Sequence, residues 1–88
     1  MIMAITEIFY PSILHLAGEG GYWISFPDLP ECFSEADSIE EAHQMATEAL
    51  DLALNSRLET HEELPEPSDI KLLDLHDNEQ IINVTFCF

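Results

Sequence analysis

The chain has 88 residues and a mass of 10.0 kDa, so it holds one small domain with no room for a second core or for most cofactor-cleft scaffolds. Hydrophobic residues make up 47% and charged residues 23%, a balance that folds rather than stays disordered. Two basic residues, Arg57 and Lys71, face 18 acidic ones for a net charge of −16, which sets the chain against nucleic acid and anionic membrane as partners. Ile8 to Leu16 is rich in β-branched, aromatic and leucine residues, Gly18-Glu19-Gly20-Gly21 supplies turn chemistry, and Tyr22-Trp23-Ile24-Ser25-Phe26 follows; the two runs predict a hairpin. Pro11 cannot donate to a ladder and predicts a bulge or an unpaired start in the first strand. Pro27-Asp28-Leu29-Pro30 ends the second strand and leads to a weaker third, Cys32-Phe33-Ser34-Glu35-Ala36, completing an antiparallel meander.

Ser38-Ile39-Glu40-Glu41 has the form of a capping box, and Asp37, Glu40 and Glu41 suit the positive end of a helix. Behind it Ile39, Ala42, Met45, Ala46, Ala49, Leu50 and Ala53 recur at spacings of three and four, one apolar stripe on a helix over residues 39 to 59. Pro65 and Pro67 forbid its continuation past Glu62-Glu63. Residues 65 to 80 are mostly polar, with an apolar patch at Ile70, Leu72, Leu73 and Leu75. A final strand then runs from Ile81 to Phe88, with Ile82, Val84, Phe86 and Phe88 on one face and Ile81, Asn83, Thr85 and Cys87 on the other.

The predicted fold is α+β, in the order β-β-β-α-β. A helical crossover after a meander predicts a fourth strand parallel to the first, with sheet order 3-2-1-4 and the helix on one face. That is the first part of a ribonuclease-H-like fold. The edge position of the last strand, which contains neither proline nor charge, predicts pairing with a second copy through Ile82, Val84 and Phe86.

Chemistry is sparse. Ribonuclease H needs carboxylates converging on metal ions, one near the middle of the first strand, and Phe9 to Leu16 contains no acid. His61-Glu62-Glu63 lacks the second histidine of a zincin, His43 has no third ligand at helical spacing, and no orienting acid or nucleophile stands near His15 in sequence. We expect no catalytic residue, cofactor or metal. Cys32 and Cys87 have neither disulfide-scaffold nor metal spacing and read as buried reduced thiols. The N-terminus has no basic region before a cleavable apolar core, and no apolar run reaches membrane-spanning length, so the expected compartment is the cytoplasm.

The acidic residues have few local partners. Glu40, Glu41, Glu48 and Asp51 lie off the helix stripe with no lysine or arginine three or four residues away. Two readings stand: a solvated or salt-adapted surface, and a surface for a basic protein partner. Tyr22 and Trp23, side by side on one strand, point to opposite faces of the sheet; the pair reads either as packing over the bare sheet face or as aromatic partner-binding residues anchoring an interface. Asp28, Glu31, Glu35 and Asp37, near the third strand and the helix start, are the expected acidic contacts.

Gly20-Gly21-Tyr22-Trp23-Ile24-Ser25-Phe26-Pro27-Asp28-Leu29-Pro30, with Tyr10-Pro11 upstream, Cys32-Phe33 downstream, Ser38-Ile39-Glu40-Glu41-Ala42 opening the helix and Pro65-Glu66-Pro67-Ser68 beyond it, resembles the HicB antitoxin family over residues 8 to 70. The resemblance implies a non-enzymatic antitoxin of a type II pair. Its partner would be a HicA-type toxin, a small basic ribonuclease that cleaves mRNA and is neutralised by direct binding. Where the family has glycine this chain has Glu31, which bears on any positive backbone angle at that turn. Family members usually continue into a DNA-binding module. The expectation here is a single HicB-like domain over 1–88 without one, so DNA binding is not carried over. The competing readings are a stand-alone HicB-like domain that self-assembles without a toxin, and a hydrolase with ribonuclease-H-like metal chemistry.

Overall fold

The computed structural model describes residues 7–18, 20–75 and 79–87. The elements are β1 (Glu7–Leu16), β2 (Tyr22–Phe26), β3 (Leu29–Ala36), α1 (Ile39–Glu59), a single 3-10 turn (Ile70–Leu72) and β4 (Glu79–Cys87). They form one four-stranded sheet in the order β3-β2-β1-β4 with α1 on one face.

Alternation places Tyr10, Ser12 and Leu14 of β1, Ile24 and Phe26 of β2, and Val84 and Phe86 of β4 under the helix. Ala42, Ala46, Leu50 and Leu54 meet them from α1, and the small alanines let the helix lie close. Leu54 thus extends the expected stripe, whereas Ile39 is exposed at its start. Ser12, the buried polar residue of the core, donates to the Ile82 carbonyl at 2.8 Å, which offsets the cost of its burial.

Both helix ends are set by local chemistry. Ser38 Oγ accepts the Glu41 N–H at 3.1 Å, the serine half of the expected capping box. At the other end His61 has φ 58, with His61 N–H donating to the Leu58 carbonyl (3.2 Å) and Glu62 N–H to the Arg57 carbonyl (2.9 Å). This is a Schellman motif with histidine in the left-handed position usually given to glycine, and it stops the helix before either proline does.

The β1–β2 loop needs its glycines. Gly21 has φ 76, and a Cβ there would meet the Ala36 carbonyl oxygen at 3.0 Å. A two-residue turn, Pro27-Asp28, joins Phe26 to its partner Leu29, and a register shift follows between Ser25 and Phe26. Glu31 lies in that irregularity with an ordinary negative φ, so the turn does not require glycine there. Pro11 lies opposite Asn83 in an unbroken β1–β4 register, which rules out a bulge; its other side precedes the β2 pairing, which starts at Ile13.

Two expectations are corrected. β4 runs antiparallel to β1, from Glu79 opposite His15 to Cys87 opposite Glu7, not parallel to it. The helix does return the chain to the start of β3, where Arg57 meets Glu31, but the chain then travels the sheet a second time. Tyr10 OH donates to the Pro65 carbonyl (2.6 Å), and Ser68 donates to Asp28 through its N–H (2.9 Å) and hydroxyl (2.5 Å), pinning the link at the β2–β3 turn. From Ser68 to Glu79 an extended chain reaches about 36 Å, enough to run the length of β1 before β4 begins. The likeness to ribonuclease H therefore stops at the meander and helix.

The second correction concerns the β4 edge. Val84 and Phe86 are 1% and 3% exposed in the core, and Ile82 packs against it. Their side chains are turned under the helix; the edge offers a second copy its backbone and the opposite face, Ile81, Asn83 and Thr85. Phe88 lies outside the described residues.

Candidate functional site

At the end of the sheet where β1 turns into β2 and β3 feeds the helix, a groove of ≈ 610 Å³ opens. Gly20, Gly21 and Ala36 line it, with Tyr22 and Trp23 from the two faces of β2 and the acidic Glu35, Asp37 and Glu41. The Glu35–Trp23 and Ala36–Tyr22 pairings across β2 and β3 bring these groups together. Four of the six expected contact residues, Tyr22, Trp23, Glu35 and Asp37, thus share one groove. Glu41, read from sequence as a capping residue and as one of the unpaired helix acids, joins them.

The other two are at the opposite end of the sheet and carry structural bonds. Asp28 holds Ser68. Glu31 takes a bidentate pair from Arg57, at 2.7 Å from Nε and 2.9 Å from Nη2. Those hydrogen bonds hold the Glu31 carboxyl below the usual glutamate range and raise the Arg57 guanidinium. Tyr10, nearby, has its phenol pushed up by burial and by the Asp28 charge.

Tyr22 points to the helix side and is half-buried against the core, whereas Trp23 is 44% exposed on the other face. One side of the indole is stacked on the His15 ring, with centroids 3.6 Å apart and planes 8° from parallel. His15 is held in turn from both nitrogens: Nδ1 lies 2.6 Å from a Glu79 carboxylate oxygen and Nε2 2.8 Å from Ser25 Oγ. Sequence reasoning missed this trio because its members come from three strands and meet only through the β1–β2 and β1–β4 registers.

Hydroxyl, imidazole and carboxylate stand in the order of a hydrolytic relay. Yet Ser25 lies within β2 between β1 and β3, at the register shift of the β2–β3 ladder, and not on the sharp strand-to-helix turn that presents a nucleophilic serine to an oxyanion site. The trio is a brace that fixes the Trp23 ring. His43 is exposed on α1, His61 serves the helix end, and His76 lies outside the described residues. Cys32 is buried and its thiol is pushed up to about 11, mainly by burial; Cys87, expected to be buried, is exposed.

The domain thus joins a small α+β fold to an acidic groove and an exposed tryptophan stacked on His15. Residues 10–86 match the family described as the HicB_like antitoxin of bacterial toxin–antitoxin systems, and the chain belongs to that family. It is 41% identical over 66 residues to Antitoxin HicB 1 of Photorhabdus laumondii, covering 75% of this chain and 43% of that protein. It is 39% identical over 69 residues to Antitoxin HicB of Escherichia coli K12, covering 78% and 48%. The chain thus spans under half the length of these curated relatives. A chain of the toxin–antitoxin complex from Streptococcus pneumoniae superposes with a TM-score of 0.80 at 26% identity, over 91% of this chain and 69% of that one. Among the described residues no helix is long and apolar enough to cross a membrane.

Proposed function

We propose that the chain is the toxin-binding domain of an antitoxin that neutralises a basic, HicA-like mRNA-cleaving ribonuclease by direct, non-catalytic binding. Family membership over residues 10–86 carries this reading. Charge supports it independently: −16 on 88 residues is complementary to a basic protein and repelled by RNA or DNA. In the groove, Glu35, Asp37 and Glu41 attract cationic side chains, and the free face of Trp23 offers a cation–π surface. A second copy, paired along β4, is the other partner we propose.

Co-expression with a neighbouring toxin gene tests the reading: rescue of growth and co-purification are expected. A toxin that stays lethal and separate would overturn it and favour a stand-alone HicB-like domain. Because rim charges act mainly on encounter, higher salt should slow association more than it speeds dissociation. A salt-independent association rate would remove the steering role of the acidic surface.

A further inference from the structure

A second hollow, of ≈ 360 Å³, lies between α1 and β3, the edge strand opposite β4. Phe33 and Leu52 line it and are 70% and 76% exposed, while the buried Cys32 and the half-buried Ala49 and Ala53 complete its apolar surface. Neither Phe33 nor Leu52 belongs to the core. Two large apolar side chains left in water around one depression, on a surface otherwise so acidic, are what an interface anchor looks like before its partner arrives.

The rim is negative. Glu62 and Glu31 line the hollow, and Glu48 stands one turn before Leu52 on α1. Arg57, the cation among the lining residues, is bound to Glu31, so that pair is neutral and Glu62 and Glu48 carry the charge left to meet a partner. This charge pattern selects the occupant. A second copy docking here by two-fold symmetry would bring two acidic rims together, whereas a basic protein would meet the rim with opposite charge.

We propose that this hollow is the docking site for the basic toxin, which inserts an apolar side chain beside Phe33 and Leu52 and sets lysine or arginine side chains against the surrounding carboxylates. The proposal rests on the antitoxin reading above and adds the surface that holds the complex together; the Trp23 groove, further along β3 at its helix end, acts in attraction. The anchor controls dissociation, because buried apolar contacts persist until the partner leaves.

The test measures association and dissociation of the full chain with the separately purified toxin, comparing wild type with Phe33→Ser, Leu52→Ser and the double variant. Leu72→Ser, also highly exposed but not among the lining residues, is the control. Both tested side chains lie outside the core, and circular dichroism confirms that the variants fold. Each single substitution should speed dissociation on the order of tenfold and the double on the order of a hundredfold, with association little changed and the control at wild-type rates. Wild-type dissociation in the double variant would overturn the docking site while leaving the antitoxin reading intact. Failure of the wild type itself to bind would remove both. Sedimentation showing a wild-type dimer that Leu52→Ser dissolves would reassign the hollow to self-association.

Discussion

Replacing His61 with glycine should stabilise the fold. His61 sits at φ 58, where the two hydrogen bonds that close α1 hold it, and its side chain is exposed, so the substitution removes no packing. A side chain in the left-handed region costs about 1–2 kcal/mol through the clash of Cβ with the backbone, and histidine lies toward the lower end because it visits that region more readily than most. Glycine escapes that cost but loses about 0.5–1 kcal/mol more backbone entropy on folding. With the left-handed cost at about 1–1.5 kcal/mol, the difference leaves about 0–1 kcal/mol in favour of His61→Gly, centred on about 0.5 kcal/mol. For a domain of this size, about 0.5 kcal/mol corresponds to a rise in Tm of roughly 2–4 °C. Thermal unfolding followed by far-ultraviolet circular dichroism measures it, with His61→Ala as the control that keeps a Cβ in place. The reasoning is refuted if His61→Gly melts no higher than His61→Ala.

Other expectations concern charge, thiols and assembly. The Arg57 pair depresses the Glu31 carboxyl from its ordinary value of 4.5, so the pair's contribution is complete above that pH and fades as pH falls through the lower folded value. Wild type should exceed Glu31→Gln in stability at pH 7 by under about 1 kcal/mol, the pair being solvent-exposed, and the gap should close in acid; parallel denaturation midpoints from pH 7 to pH 3 would show that no such linkage exists. A thiol reagent at pH 8 should modify Cys87 quickly and Cys32 only in denaturant, and two fast thiols in the native chain would contradict the packing around Cys32. If β4 pairs with a second copy, sedimentation should show a dimer or larger species that Asn83→Lys shifts towards monomer without touching the core; a wild-type monomer at micromolar concentration would refute that pairing.

Much of the fold could be read from residues because its signals are local. The Ser38 cap, the three-and-four spacing of Ala42, Ala46 and Leu50, and the glycines before Tyr22 each act within a few positions of themselves. The direction of β4 could not be read that way, since it depends on Tyr10 reaching Pro65 and Asp28 reaching Ser68, contacts 55 and 40 residues apart between polar or commonplace partners. The site divides along the same line. Tyr22 and Trp23 were legible as an aromatic pair and Glu35 and Asp37 as acids near the helix start, but that these four share a groove without Asp28 and Glu31 follows from the β2–β3 register. The His15–Glu79 contact, and the meeting of Phe33 with Leu52 around one hollow, arise only when distant segments fold together. Leu52 carried a faint signal of its own, a leucine standing off the apolar stripe between acidic neighbours.

The antiparallel placement of β4 also governs how the chain must assemble. Its register with β1 joins Glu7 to Cys87 and continues to His15 and Glu79, so the central strand of the sheet gains one whole side only after nearly all of the polypeptide has been gathered in. The meander and helix can form from neighbouring residues, but the loop entropy of this last pairing depends on Pro65 and Ser68: with those contacts made only the link from Ser68 to Glu79 remains to be closed, and without them almost the whole chain does. Until then the β4 side of β1 presents an unsatisfied strand edge to any extended segment nearby, including another nascent chain. Commitment to the native state thus falls late, on a strand whose partner was made first.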